Sequence, residues 1–183
     1  MKFQHAILFS LSATTFCFGA NVADIQTDMN HLTSNITTFT TALSNFDPSN
    51  LVSTGVPLVL AAEGILQAIT DSTTDAEALP KPVSNPAGLI SAVTPLGISI
   101  PKALKAIENA KSKFAAIPAS GTVAVGGVGG ILVSLQSMSQ ILANATIAAL
   151  PASQQASLVK VRNAINTAFA STIGTYGADI CSN

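Results

Sequence analysis

Eight apolar residues, Val22, Ile25, Met29, Leu32, Ile36, Phe39, Leu43 and Phe46, recur at alternating intervals of three and four. That period lays an unbroken apolar ridge down one side of a helix about seven turns long. A chain that opens with such a ridge must bury it, and packing against other helices is one of the few stable solutions. The ridge stops at Asp47-Pro48, a pair that predicts the start of a second helix. Aspartate caps orphan N–H groups, and proline suits a first turn, where its missing N–H is not needed.

The same spacing continues downstream. Leu51, Leu58, Ala62, Ile65, Ile69, Ala76 and Leu79 mark a second ridge, disturbed early by Pro57. Leu79-Pro80-Lys81-Pro82-Val83 breaks it, and Asn85-Pro86 repeats the cap-plus-proline start. A third helix carries Leu89, Val93, Ile100, Leu104, Ile107 and Phe114, with Pro95 and Pro101 inside it, so it must kink or split. Gly121 to Gly130 reads as a flexible glycine-rich link. A fourth helix follows through Ile131, Leu135, Met138, Leu142 and Ala149. Pro151 opens a fifth with Leu158, Val161, Ile165, Phe169, Ile173 and Tyr176. Nothing alternates with the period of a strand. The expected fold is all-α, a single up-and-down bundle of about five amphipathic helices with the third kinked by prolines.

Ahead of the first ridge, Met1-Lys2 gives a positive start and Ala6 to Phe18 an apolar run, followed by small residues at Gly19 and Ala20. This is the pattern of a signal peptide over residues 1–19, too short for a membrane span, with 20–183 as the helical-bundle domain. The expected destination is extracellular. Cleavage leaves Cys181 as the one cysteine, so no internal disulfide forms and packing must supply the stability. Asn35 and Asn144 each begin a glycosylation sequon. Asn144 lies nine positions beyond Leu135, about 180° around the helix, so a glycan there would point outward. No apolar C-terminal tail suggests a glycolipid anchor. The charge-free stretch between Lys113 and Lys160 is not read as a transmembrane anchor, because Gln136, Ser137, Gln140 and Asn144 give it a polar side.

Composition narrows the function. Net charge is −1 and charged residues make up 9% of the chain, so no basic field exists to draw in nucleic acid. Asp24, Asp28 and His31 share one side of helix one, where a solvated face with carboxylates near a helix N-terminus explains them better than a metal or acid–base cluster. His31 is the sole histidine after the signal peptide, no Gly-x-Ser-x-Gly elbow occurs, and zinc ligands are lacking. Val125-Gly-Gly-Val-Gly-Gly130 lacks the Lys-Ser/Thr of a phosphate loop. Lys102, Lys105, Lys111 and Lys113 form the one basic concentration, suited to a solvated helix face or to a carboxylate headgroup. No catalytic residue, metal site or cofactor is expected.

The opening "VADIQTDMNHLTSNITTFTTAL", the proline-bearing "PAGLISAVTPLGISIPKALKAIENAKSKF" and the closing "LANATIAALPASQQASLVKVRNAINTAFASTIGTYG" together resemble the fungal hydrophobic-surface-binding and cell-wall galactomannoprotein family. The resemblance covers nearly the whole chain after the signal peptide. It implies a secreted, mannosylated, helical protein associated with the cell wall. It also implies fatty acid or other lipid, hydrophobic solid surfaces, cell-wall polysaccharide or a secreted polyester hydrolase as partners. A glycosylated structural mannoprotein without a small-molecule ligand is the alternative.

For the lipid reading the bundle needs an incompletely filled interior. Helix-bending prolines, small residues in place of large ones and the absence of Trp favour one. An acyl chain of about fifteen methylenes at ~0.8 kcal/mol each offers ~12 kcal/mol gross. An association cost of at least ~4 kcal/mol leaves room for micromolar binding or better. The mid-helix apolar positions are the expected lining: Leu32, Ile36, Phe39, Leu43, Ile65, Ile69, Val93, Ile100, Leu104, Leu135, Met138, Leu142, Val161, Ile165 and Phe169.

Overall fold

A computed structural model describes residues 20–118 and 121–177, the side chains of 122 and 123 excepted. The signal-peptide reading and Cys181 lie outside the described residues. Within them the helices are α1 (Val22–Ser44), α2 (Leu51–Ala78), α3 (Pro86–Val93), α4 (Leu96–Ala115), α5 (Gly121–Ala149) and α6 (Gln155–Gly177). A single 3-10 turn, Ala152–Gln154, leads into α6.

The ridge of α1 turns inward as its period requires, with Val22, Ile25, Met29, Leu32, Ile36 and Leu43 all buried. Asn21 starts this helix by accepting from the backbone N–H groups of Ala23 and Asp24, while the Asp24 carboxylate accepts from the Asn21 N–H at 2.9 Å. That reciprocal box satisfies orphan donors at a single end. Asp47 plays a different part from the expected cap. It accepts from the Ser49 N–H and hydroxyl and closes a turn, so α2 begins at Leu51 rather than at Pro48. Asn85-Pro86 behaves as the sequence implies, Asn85 accepting from the Gly88 N–H at 3.0 Å.

Of the two prolines in the third helical stretch, Pro95 divides it into α3 and α4, whereas Pro101 stays inside α4. Pro57 likewise remains within α2, on its exposed side, where solvent can satisfy the carbonyl its ring leaves unpaired. Gly121 to Gly130 is the main correction: it is helical, forming the first half of α5. Glycine costs a helix up to ~1 kcal/mol per residue, and tertiary burial of Val125 and Leu132 overrides that local weakness. Leu132 is buried at 1% exposure, while Ile131, where the fourth ridge was expected to begin, is half exposed.

The helices close a ring in the order α1, α2, α5, α6, α4, with α3 against α1. Short connections make α1–α2 and α5–α6 antiparallel neighbours, and the crossing from α2 to α3 carries the chain to the far side of α1. The backbone N–H of Val83 donates to Ala149 at 2.8 Å and fastens that crossing to the end of α5.

Few charges are available, and some of them tie helices together. Lys113 donates to the carbonyls of Ser44 and Phe46 at the C-terminal end of α1, and Lys111 to Thr175 in α6. Glu108 of α4 pairs with Lys105 at 2.7 Å and accepts from Ser171 and Thr172 of α6. The Lys105 ammonium and those two hydroxyls hold its carboxyl below the usual carboxylate range, against the opposing effect of burial. Three of the four clustered lysines thus stabilise helix contacts. Tyr176, fully buried, donates its hydroxyl to the Ile107 carbonyl at 2.7 Å. Burial, then the Glu108 charge, pushes its ionisation well above the usual phenol range.

Two stability outcomes follow from this packing. Tyr176→Phe removes the buried hydrogen bond to the Ile107 carbonyl and lowers stability by about 0.5–1.5 kcal/mol in urea unfolding. Gly127→Ala raises it by about 0.4–1 kcal/mol, because no atom lies within 4 Å of where the new Cβ would stand. An unchanged midpoint for Gly127→Ala would mean the first half of α5 is not helical in solution.

Candidate functional site

The ring of helices does not fill its own centre. A cavity of about 220 Å³ runs between α1, α2, α4, α5 and α6, and Ser139 is the one polar residue in its lining among the described residues. Several positions facing it are small: Ala62 and Ala103 at mid-helix, Val59 and Val128 nearer one end. A dry void costs about 24 cal/mol per Å³, or about 5 kcal/mol here, a large share of a domain's usual 5–15 kcal/mol. An apolar cavity does not recover that cost by taking in water. It is recovered by an apolar guest.

At one end the cavity opens past Leu58, Val59, Phe114 and Val128 into a wider groove formed by the start of α2, the end of α4 and the start of α5. The lip of this groove is apolar and exposed: Leu60 at 61% and Val59 at 57%, with Leu51 and Val56 beside them. No charged residue occurs from Leu51 to Ala62, nor anywhere in α5. At the opposite end a narrower space of about 30 Å³ lies among α1, α2, α3, α4, α5 and α6. It shares Leu32, Ile69, Ile100 and Ser139 with the main cavity. The two spaces and the groove therefore lie along one axis of the bundle.

The structure distributes the expected lining residues along this axis. Leu32, Ile36, Phe39, Ile65, Ile69, Ile100, Leu104, Leu135 and Phe169 face the main cavity. Val93, Leu142, Val161 and Ile165 face the narrow end, together with Leu32, Ile69 and Ile100. Leu43 and Met138 line neither: Leu43 is core at the far end of α1, and Met138 packs half-buried against the core. Sequence reasoning passed over Leu58, Ile107 and Phe114, which belong to the ridges but sit away from mid-helix. It also missed Val128, because the glycines around it were read as a link. Nothing in the periodicity marks Ser139.

By length and composition, Leu51–Ala78, Pro86–Ala115 and Ala124–Ala149 are apolar enough to cross a membrane. Each of these stretches contributes to the cavity lining. The polar side chains expected on α5 do divide its surface, Asn144 being exposed. Asn35 is placed differently: its amide nitrogen donates to the Gly64 carbonyl at 2.8 Å, across the α1–α2 contact. Of the two sequons Asn35 is thus half-buried and engaged across a helix contact, while Asn144 is exposed, its Oδ1 accepting from Arg162 Nη1 at 3.2 Å.

Asp24, Asp28 and His31 separate into unlike roles. Asp24 belongs to the capping box, and no metal-holding group of His, Cys, Asp or Glu exists among the described residues. Asp28 is not a freely solvated carboxylate. It faces Asp71 and Asp75 of α2, and its Oδ2 is buried without a partner. Burial first, then the Asp75 charge and a hydrogen bond shared with it, then Asp71, push its carboxyl up to about 6, with His31 opposing.

This raised value works against folding at neutral pH. The unfolded group titrates near 4, so its proton favours the folded chain below that pH, and the benefit is lost as pH rises through 6. The full shift corresponds to about 3 kcal/mol. The residue is only half-buried, and solvent screening reduces the effect to about 1 kcal/mol. Asp28→Asn is therefore expected to stabilise by about that amount at pH 7.5 and by nothing at pH 3, measured by thermal unfolding across pH. A gain equal at both pH values would assign the effect to packing instead.

A family model described as hydrophobic surface binding protein A matches residues 22–148, most of the bundle. The chain belongs to that family. Among curated proteins none matches it by sequence. Three solved structures share the fold of this family member. AFMP4P in complex with palmitic acid is 21% identical, with a TM-score of 0.77, the match covering 85% of this chain and 99% of that one. Ligand binding domain 2 of the Penicillium marneffei MP1 protein, in complex with arachidonic acids, is 14% identical with a TM-score of 0.67, covering 86% and 94%. Domain 1 of the same protein, also complexed with arachidonic acids, is 13% identical with a TM-score of 0.62, covering 85% and 99%.

Proposed function

We propose that this chain is a secreted, non-catalytic binder of long-chain fatty acids that also adsorbs to hydrophobic surfaces. The observation that carries the reading is the apolar cavity opening through an uncharged, apolar lip. Family membership supports it, as do the palmitic and arachidonic acids held by proteins of the same fold. The N-terminal pattern supports export, and the exposed Asn144 sequon supports a glycan on the outer side of α5.

The cavity and its lip serve related ends. A cavity of about 220 Å³ falls short of the ~300–1,000 Å³ of ordinary ligand pockets, so a long chain extends into the groove or the narrow end. Contiguous exposed apolar patches mark interaction sites on soluble proteins. Here the patch surrounds the opening, so the surface that meets a wax or polyester is the surface through which a chain enters. Neither step requires charge, and adsorption resists moderate salt.

Purified protein, delipidated and then offered palmitic acid, is expected to take it up with micromolar affinity or better. Ala103→Phe fills the mid-cavity and is expected to cut that uptake at least tenfold with the helical circular dichroism retained. Absence of any copurifying lipid together with no uptake by the wild type would overturn the cavity reading. The glycosylated wall scaffold is then the reading that remains.

A further inference from the structure

The narrow end of the axis contains one feature that an acyl chain alone does not need. Arg162, the single arginine of the chain, stands on α6 and lines the narrow space beyond the main cavity. Its neighbours there are otherwise apolar apart from Ser139 and Thr146. It is half-buried. Its Nη1 donates to Asn144 Oδ1 at 3.2 Å and its Nη2 to Asn163 Oδ1 at 3.4 Å, both long bonds to neutral acceptors. A guanidinium has five N–H donors. Among the described residues no carboxylate forms an ion pair with it.

We propose that Arg162 is the headgroup residue of the channel, binding the carboxylate of a fatty acid whose tail runs through the main cavity toward the apolar lip. The inference rests on the fatty-acid reading above and fixes the orientation and the headgroup class. Length permits it. On α5 the lining runs from Val128 to Thr146, about 27 Å of helix. A bilayer core two chains deep is about 30 Å thick, so one chain needs roughly half that. Ser139 stands where the two spaces meet, the one polar break in the main lining.

Chemistry also selects this end. Arginine holds carboxylates through two parallel N–H bonds, in a geometry that a lysine ammonium does not match. The lip end offers no comparable group. Lys113, the cation nearest to it, is occupied by the carbonyls of Ser44 and Phe46. A charged headgroup placed at the lip would face uncharged residues of α2 and α5. At the opposite end it meets a guanidinium next to solvent that has only neutral side-chain acceptors among the described residues.

The test compares palmitate with hexadecanol, equal in chain length and lacking the charge, on delipidated full-length protein at pH 7.5. Wild type is expected to bind palmitate about tenfold to a hundredfold more tightly than hexadecanol. Arg162→Gln is expected to reduce palmitate binding to the hexadecanol level, leave hexadecanol binding unchanged and leave thermal unfolding unchanged. Arg162→Lys should recover part of the palmitate preference. Palmitate bound equally by Arg162→Gln and wild type overturns this inference while leaving the fatty-acid reading intact. So does a preference that survives Arg162→Gln but is lost in Lys113→Gln, which would reverse the ligand. Wild type that binds neither probe overturns both.

Discussion

The structure depends on a mismatch between the circumference of its helix ring and the volume of the side chains facing inward. Five rows of helix enclose a centre that residues such as Ala62, Ala103 and Val128 are too small to fill. Protein interiors ordinarily pack to the density of organic crystals, and a void of this size sets a cost comparable to half of a domain's net stability. The remaining contacts have to be good enough to hold the ring open. The fully buried Tyr176 hydroxyl, the Glu108 bridge from α4 to α6 and the lysine bonds to helix-end carbonyls do this at the periphery. None of them points into the cavity.

That division explains the sparse use of charge. Few ionic groups are present, and several of them are engaged where helices meet: Lys111 and Lys113 on backbone carbonyls, Glu108 between Lys105 and two hydroxyls. Serine and threonine hydroxyls supply much of the remaining polarity, and many of them donate to the carbonyl one turn back, as Ser72 does to Ala68 and Thr146 to Leu142. Such hydroxyls can be buried without a partner on another helix. The surface around the lip is consequently left without charge, which is the condition for contact with an uncharged apolar phase.

The fold was legible because its signal is periodic. The ridge of α1 alternates by three and four without a fault, and every member from Val22 to Leu43 except the partly buried Phe39 is sealed from solvent. Capping chemistry was legible where the cap was the sole use of the residue, as at Asn85, and misleading at Asp47, where a serine two residues on offered a local turn. The glycines of α5 defeated sequence reasoning because propensity is a local quantity, while their helix is imposed by burial of Val125 and Leu132. Most mid-ridge positions chosen for the lining do face the axis. A ridge, however, says only which side is inward. Whether an inward residue meets a neighbour, as Leu43 does, or empty space, as Ile36 does, depends on the sizes of residues on other helices.

The glycine-rich half of α5 joins these points. Gly126, Gly127 and Gly130 face open space rather than a crowded neighbour, so close approach of another backbone does not account for them. Their effect is on local stability. A helix poor in side-chain bulk narrows its own contribution to the packing, and here it forms part of the wall where the cavity meets the groove, with Val128 as a lining residue of both. The same residues reduce the intrinsic preference for helix, so this half of α5 owes its order to the neighbours it covers. Gly126, Gly127 and Gly130 are not lining residues of the cavity or the groove, so replacing one of them with alanine strengthens the helix and leaves the opening in place. The low intrinsic stability of this segment comes from its glycines, while the opening is bordered by the small side chains beside them, Ala124 and Val128.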